Sequence, residues 1–263
     1  MENETGLKWF FWIGTATMLF SVLGVILTVV LYRNRIHKIN RQESENLLKS
    51  SLESEKKERK RIASDFHDSV SGDLSAVQNY ITILANKEKD SFNKSVFQEV
   101  ETALGNIIEN VQDISYNLMP PTIETLGLPS TLRTYFERVQ KWNKVTISEQ
   151  YQSEDILISS SDAYEIYRII QEFVTNMIKH GNSDYINFTF YKKEKTYIFE
   201  ISDNGASFDF HKSVKEPYGM GLKNITSRIK YINAKLIQLP VEEGNKIQIR
   251  LNADNYATNS HNR

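Results

Sequence analysis

The chain has 263 residues, of which 25% are charged, and its 32 basic and 33 acidic residues leave a net charge of −1. This balance argues against nucleic-acid binding as the main activity. The sequence contains no cysteine, which excludes disulfides, thiolate zinc sites and cysteine nucleophiles and fits a protein that works in reducing cytoplasm. The length allows about two domains.

The first predicted element is a long apolar helix. Residues 9–32 carry no charge, and as a helix they rise about 36 Å, enough to cross a hydrocarbon core of about 30 Å. Trp9, Trp12 and Tyr32 lie at its ends, where aromatic rings favour the membrane interface. A buried core helix seldom runs this long without a charge, and no small-x-small exit of a cleavable signal peptide follows. We therefore predict a retained, single transmembrane helix.

The basic residues on either side of this helix predict its orientation. Only Lys8 precedes the apolar segment, whereas four basic residues follow it closely: Arg33, Arg35, Lys38 and Arg41. The positive-inside rule places the larger, C-terminal part in the cytoplasm and residues 1–8 outside as a short extracytoplasmic N-terminus. Eight residues are too few for a folded sensor domain, so the signal is expected to reach the protein within the membrane or through a partner sensor protein.

The next region predicts a helical linker and then a helical hairpin. Residues 33–60 are polar and charged, which is typical of a solvated helix. Residues 61–121 show two amphipathic helices, interrupted at 86–90 and ended by Pro120-Pro121. The apolar positions of the first helix are Ile62, Phe66, Val70, Val77, Ile81 and Leu84. Those of the second are Phe97, Val100, Leu104, Ile107, Val111, Ile114 and Leu118.

The second of these apolar rows alternates spacings of 3 and 4, which is a heptad seam. A two-helix hairpin cannot bury such a seam by itself. The economical solution is a homodimer whose two hairpins form a four-helix bundle. The sequence therefore predicts an all-α dimerisation domain at residues 61–121.

A histidine and a carboxylate stand side by side in the first helix of the hairpin. His67 and Asp68 end the stretch RIASDFHD, and no second histidine or cysteine follows at helical spacing to suggest a metal site. Projected at 100° per residue, His67 falls at the edge of the apolar stripe and Asp68 on the solvent side. We expect the imidazole to be displayed at the margin of the bundle, open to a visiting active site.

From residue 122 onward, helices and strands interleave. We predict helices over 130–142, 161–180 and 221–233, and strands in VTISEQY, YINFTFY, TYIFEIS, KLIQLP and NKIQIRL. Several strands pair as hairpins, so we predict an α/β sandwich at residues 122–252, with one mixed sheet covered by helices on one face. The polar end, 253–263, is expected to be a disordered tail.

One polar stripe interrupts the otherwise apolar helix over 161–180. Glu172, Asn176 and Lys179 are spaced i, i+4, i+7 and share one face. The Asn176 carbonyl can bind a hard cation such as Mg²⁺, Glu172 can orient a water, and Lys179 can meet a phosphate. Taken alone, a solvated helix edge would show the same pattern.

A second pattern follows the strand TYIFEIS. Asp203 ends that strand and Gly205 is expected to allow a turn with positive φ. A plain Asp-Asn-Gly turn is the simpler interpretation. The functional interpretation is a carboxylate that accepts from the exocyclic amine of adenine and selects against guanine, which presents a carbonyl there.

The third pattern is Gly219-Met220-Gly221 at the start of a helix. Glycines let the backbone approach phosphates, and a helix N-terminus supplies free N–H groups. The preceding segment, 206–218, is polar with Phe208 and Phe210 as its apolar anchors. It is typical of a lid over a nucleotide.

Four stretches occur in a characteristic order: RIASDFHD around His67, QEFVTNMIKH around Asn176, DNG from Asp203 and GMGLKN from Gly219. Together they resemble the H, N, G1 and G2 boxes of sensor histidine kinases, over about residues 45–252. A glycine-rich P-loop is absent from the sequence, as in the Bergerat-type ATP-binding fold of that family.

The subfamily is indicated by the His-Asp pair together with NLMPPTIETLGL at 117–128. These stretches resemble the DesK-like kinases, which work with NarL-type response regulators. The resemblance implies a bacterial protein of the cytoplasmic (inner) membrane. It also implies a separate response regulator that carries a receiver domain and a helix-turn-helix output, and no direct contact of this chain with nucleic acid.

The resemblance also assigns roles to residues. His67 is the phosphoacceptor that attacks the γ-phosphate of ATP, Asp68 orients the ring and accepts its proton, and Glu172 is catalytic. Asn176 holds Mg²⁺ through its carbonyl oxygen. The implied nucleotide-binding residues are Asn176, Lys179, Asp203, Gly205, Gly219, Gly221, Leu222 and Asn224.

One position departs from the family pattern. Many relatives carry a glutamine five residues after the histidine, where it positions water to dephosphorylate the regulator, and Gly72 stands there in this chain. Phosphatase activity is therefore in doubt.

Two other functions fit these residues less well. A non-catalytic adaptor with a degenerate ATP fold is disfavoured because His67, Asn176 and Asp203 are all retained. An ATPase switch without phosphotransfer is disfavoured because it has no use for a displayed histidine.

Overall fold

The computed structural model describes residues 2–152, 156–214 and 220–257. It divides into two compact units, one ending at Ser51 and one beginning at Leu52. Helix α1, Glu2–Asp65, continues from the first unit into the second. The apolar segment, the linker and the start of the hairpin, predicted as separate elements, thus lie in one helix.

In the first unit, α1 contains an 18-residue window of mean hydropathy 2.2, none of which is buried, long and apolar enough to cross a membrane. Its hydroxyl groups are satisfied within the helix itself. Ser21 Oγ donates to the Thr17 carbonyl at 2.9 Å, and Thr28 Oγ1 donates to the Gly24 carbonyl at 2.8 Å. A lipid environment requires such internal pairing of polar groups.

The second unit begins with the end of α1 and the predicted hairpin. A π-helical turn, Phe66–Val70, follows α1 and leads into α2, Ser71–Lys87. Helix α3, Ser91–Leu118, begins after Asp90, whose carboxylate accepts from the N–H groups of Phe92 and Asn93. The predicted break and the end before Pro120 are both present. The π-helical turn was not predicted.

The remaining helices and strands form a mixed α/β domain, as predicted. Its helices are α4, Thr122–Thr125; α5, Gly127–Trp142; α6, Ser160–Lys179; α7, Phe210–Ser213; α8, Met220–Tyr231; and α9, Asp254–Ala257. Its strands are β1, Thr146–Tyr151; β2, Tyr185–Lys193; β3, Thr196–Asp203; β4, Lys235–Leu239; and β5, Asn245–Asn252.

The five strands make one sheet in the order β1-β2-β3-β5-β4. The β1–β2 pair is parallel and the other pairs are antiparallel. Alternate residues of β2, namely Ile186, Phe188 and Phe190, are fully buried. They belong to one apolar cluster with residues of α5, α6 and α8, so burial of this face fixes the register of the sheet.

The C-terminal boundary differs from the prediction. The disordered tail was expected from residue 253, but Ala253 is buried and α9 follows it. Tyr256 donates to an Asp162 carboxylate oxygen at 2.5 Å, which ties α9 to α6. Residues 258–263 lie outside the described residues.

Candidate functional site

The second unit carries two candidate sites: the surface around His67, and a cavity at the end of β3 between α6, α8 and β5. Among the described residues that line a cavity at either place, none lines both.

The π-helical turn Phe66–Val70 presents His67 and Asp68. The Ser71 N–H reaches the Phe66 carbonyl five residues back, and Ser71 Oγ donates to the same carbonyl at 3.2 Å. Such a turn adds a residue to the helical path and often marks a functional site. The side chains of His67 and Asp68 are 71% and 72% exposed, so the imidazole is displayed, as the helical projection predicted.

Hydrogen bonds hold the two side chains of this pair together. His67 Nδ1 lies 2.9 Å from Asp68 Oδ1, and Ser64 Oγ donates to Asp68 Oδ2 at 2.9 Å. The bond with His67, followed by that from Ser64, lowers the pKa of the Asp68 carboxyl. An ionised carboxylate can only accept, so Nδ1 of the neutral ring carries the proton and Nε2 keeps its lone pair.

A shallow cavity of about 280 Å³ lies beside this pair. Ser64, His67 and Asp68 line it, together with Met119 and Pro120 from the end of α3. The phosphoacceptor candidate therefore stands at the rim of a recess that a visiting group can enter.

The larger cavity, of about 520 Å³, has in its lining the predicted catalytic residue Glu172 and three of the predicted nucleotide-binding residues, Asn176, Gly221 and Leu222. Lys179 and Asn224 are exposed and are not among the described lining residues. Gly219, also predicted here, lies outside the described residues. The stripe on α6 thus brings Glu172 and Asn176 to the cavity, while Lys179, further along the same face, is exposed and is not among the described lining residues.

Gly221 lines this cavity, and Glu172 lies so close to it that a side chain at this position would have no free space. A Cβ built on Gly221 would collide with Glu172 Oε1. The close approach brings the first turn of α8 against the polar stripe of α6. A side chain at this position would therefore have to displace the Glu172 carboxylate, so packing rather than φ favours glycine here.

Asp203 is not itself among the described residues that line the cavity, but it is hydrogen-bonded to Asn245, which does line it. Asp203 Oδ1 accepts from Ser183 Oγ at 2.9 Å and from the Gly205 N–H at 2.6 Å, and the residue is 8% exposed. The turn after it differs from the prediction, since Gly205 is not among the positive-φ residues in the described part of the chain. Gly205 is needed because a Cβ would strike Ser183 Oγ and the Gly181 carbonyl.

The positive φ instead occurs at Gly244, at 72°. A Cβ on Gly244 would collide with the Asp203 carbonyl. The hairpin between β4 and β5 therefore closes directly onto the end of β3, and it delivers Asn245 to the cavity.

Asn245 and Ser183, which hold Asp203 in place, were not predicted. Asn245 is 2% exposed and its Nδ2 donates to Asp203 Oδ2 at 3.2 Å. Its only sequence signal is a polar residue that follows a glycine at the start of a strand, and this is too common to single it out. The 42-residue separation from Asp203 explains why periodicity could not connect them.

The segment after β3 agrees with the predicted anchors as far as residue 214. Phe210 is buried and its ring lies 6.1 Å from that of Phe173, while Phe208 packs at the margin of the apolar cluster. Residues 215–218 of the predicted lid lie outside the described residues.

The cavity suits a magnesium ion only if the ion brings most of its own ligands. Among the described residues, no group of three or more His, Cys, Asp and Glu side chains could hold a metal. Asn176 and Glu172 offer side-chain oxygens on one face of α6. This donor set fits Mg²⁺ that is bound mainly by water and phosphate oxygens.

No protein-family profile matches the chain. Similar solved structures include the histidine kinase domain of the Erythrobacter litoralis EL346 blue-light activated histidine kinase, with a TM-score of 0.45, 12% identity, and coverage of 73% of this chain and 99% of that one. The chain spans 61% of the longer structure of that kinase.

Two further histidine kinases are similar. Acinetobacter baumannii AdeS has a TM-score of 0.42 and 11% identity, with 73% of this chain and 98% of that chain covered. The catalytic domain of the histidine kinase ThkA has a TM-score of 0.40 and 14% identity, with 48% and 89% covered. The solved structures named here are thus histidine kinases or their domains.

Proposed function

We propose that this protein is a membrane-bound sensor histidine kinase of the DesK-like type. It phosphorylates His67 from ATP and passes the phosphoryl group to an aspartate of a separate response regulator that controls transcription. The observation that carries this proposal is the exposed His67–Asp68 pair, whose hydrogen bond leaves Nε2 free. The Asn176 and Asp203 pattern around a separate cavity supports it.

The tautomer of His67 determines which ring nitrogen attacks the phosphate. Nε2 of the neutral imidazole attacks the γ-phosphorus, the new N–P bond forms as the bond to the bridging oxygen breaks, and ADP leaves with the electron pair. Asp68 holds the Nδ1 proton and stabilises the positive charge that develops on the ring. Ser64 fixes the other oxygen of Asp68, so the carboxylate does not rotate away.

The 520 Å³ cavity is the proposed ATP site. Asp203, buried and surrounded by donors, accepts from the adenine amine. Asn176 and Glu172 face the phosphate side, and Mg²⁺ bound there would neutralise phosphate charge. Since the lining of this cavity excludes His67, transfer requires the nucleotide domain to move to the histidine.

The hairpin supports the proposed homodimer. Two rows with seven-residue spacing are between 38% and 50% exposed in the single chain: Val70, Val77 and Leu84 on α2 and its preceding turn, and Val100, Ile107 and Ile114 on α3. The other half of the α3 seam faces α2, with Val111 buried. A second copy would cover both exposed rows in a four-helix bundle.

The apolar part of α1 is the proposed single membrane span, with the N-terminus outside and the remainder in the cytoplasm. The signal would then arrive through the membrane segment or from a partner sensor protein. Many relatives carry a glutamine where this chain has Gly72. Glycine has no side chain to position the water that dephosphorylates the regulator.

The test is transfer of label from [γ-³²P]ATP to the full chain in lipid nanodiscs. We expect an acid-labile, base-stable label, which is lost in His67→Gln and in Asn176→Ala. Asp68→Asn keeps the shape of the carboxylate but cannot accept the Nδ1 proton, so its rate should fall by about 10²–10⁴-fold. Nucleotide binding by Asp68→Asn should match that of wild type, because the residue lies outside the ATP cavity.

A wild-type chain that binds ATP but gains no label would contradict the kinase proposal and favour the adaptor. Release of free phosphate without any labelled protein would favour the ATPase switch.

A further inference from the structure

We propose that Asn245 is a positioning residue that sets the base specificity of the nucleotide site by fixing the Asp203 carboxylate. The proposal rests on the proposed ATP cavity but not on phosphorylation of His67. It adds to the predicted site a residue of β5, the strand that pairs with β3, where Asn245 lies opposite Asp203 in the register.

Both polar atoms of the Asn245 side chain are hydrogen-bonded, although the residue is only 2% exposed. Nδ2 donates to Asp203 Oδ2 at 3.2 Å and to the Ala206 carbonyl at 3.0 Å, and the amide oxygen accepts from the Phe208 N–H at 3.0 Å. Both amide hydrogens and the oxygen therefore have partners. A buried amide satisfied in this way has one orientation.

This orientation determines what Asp203 can recognise. Oδ1 already accepts from Ser183 and from the Gly205 N–H, and Oδ2 accepts from Asn245. A carboxylate that accepts from donors on both sides offers a ligand only acceptor positions. An exocyclic amine, as in adenine, is then accepted, whereas the carbonyl of guanine would face another acceptor.

Asn245 also connects base recognition to the segment that follows β3. Its bonds to Ala206 and Phe208 pin the first residues of that segment at the cavity, where both residues are part of the lining. Gln238 on β4 adds two bonds, accepting from the Phe210 N–H at 2.9 Å and donating to the Phe208 carbonyl at 2.6 Å. One amide thus orders both the adenine-selecting carboxylate and the first residues after β3.

The test compares binding of ATP and GTP to the full chain in nanodiscs, across pH, for wild type and Asn245→Asp. The substitution keeps the shape but replaces two donors with acceptors, so two carboxylates meet in a buried site and share a proton. We expect ATP affinity to fall about tenfold or more at about pH 8, with the deficit shrinking towards pH 5 as the introduced carboxyl protonates.

Asn252→Asp is the matched control. It makes the same change on the same strand, at an exposed residue whose oxygen accepts from the Asp254 N–H, a role that a carboxylate retains. Its affinity should stay within about twofold of wild type at both pH values.

Asn245→Ser provides a second variant if Asn245→Asp fails to fold. A hydroxyl has one hydrogen to donate and cannot serve Asp203 and Ala206 together, so the preference for ATP over GTP should fall by about tenfold. A wild-type preference for ATP that survives in folded Asn245→Ser and Asn245→Asp at about pH 8 would overturn this inference and leave the kinase proposal intact. A wild-type chain that binds no nucleotide would overturn both.

Discussion

Arg228 offers the sharpest test of how the end of α1 packs on the nucleotide domain. Its Nη1 donates to Glu165 on α6 at 2.5 Å, and its Nη2 contacts both carboxylate oxygens of Glu55 on α1 at 2.7 and 2.8 Å. The side chains of Arg228 and Glu165 are 6% and 2% exposed. Glu55 is 36% exposed and has a second partner, Arg59, at 2.8 Å.

Arg228→Met would keep the apolar part of the side chain but would leave the Glu165 carboxylate without its partner in the protein interior. Breaking a buried pair in this way costs about 3–5 kcal/mol, because the remaining charge is uncompensated. Glu55 should contribute little to this loss, since Arg59 and solvent remain. Replacing both partners, as in Arg228→Met with Glu165→Met, should recover most of the stability.

The pH dependence has a definite sign. Burial raises the pKa of the Glu165 carboxyl, and removal of Arg228 would raise it further. The folded variant then binds more protons than its unfolded chain, so its free energy of unfolding increases as the pH falls through the raised pKa. The loss caused by Arg228→Met should therefore be largest at neutral pH and smaller under acidic conditions.

The assay is native-state hydrogen exchange of the full chain in nanodiscs, read on core peptides from β3 and β5. Lys195→Met is the control, because Lys195 pairs with Asp254 at 2.9 Å on the surface with 77% and 50% exposure, and loss of such an exposed pair should have little effect on stability. An Arg228→Met cost no larger than that of Lys195→Met would refute the burial argument.

Two further predictions concern glycines. Gly72 has open space around a built Cβ, whereas Gly244 has a φ of 72° and its Cβ would meet the Asp203 carbonyl. Gly72→Ala should stabilise α2 by about 0.5–1 kcal/mol, whereas Gly244→Ala should destabilise the sheet by at least about 1 kcal/mol. Hydrogen exchange measured in α2 and in the sheet would show both changes, and equal effects of the two substitutions would contradict this prediction. Gly221→Ala should weaken ATP binding by displacing Glu172, so its effect should largely disappear in a Glu172→Ala background; additive effects would contradict the contact.

Much of the helical part follows from local patterns. The uncharged stretch 9–32, the heptad row on α3 and the break before Asp90 depend on neighbours within a few residues, and the sequence shows them directly. The π-helical turn could not be predicted, because a single inserted residue leaves the spacing of the apolar residues almost unchanged. The start of α9 could not be predicted, because Ala253 and Tyr256 are ordered by contacts with elements distant in the chain.

The sequence by itself determined the displayed histidine, the five strands and the polar stripe on α6, because amphipathic periodicity fixes which side chains face solvent. The tertiary structure decided which of these residues share a cavity. Lys179 is exposed and is not among the described lining residues, whereas Asn245 lines the cavity through a hairpin that closes onto Asp203. Such hydrogen bonds join residues far apart in the chain, and no local spacing records them.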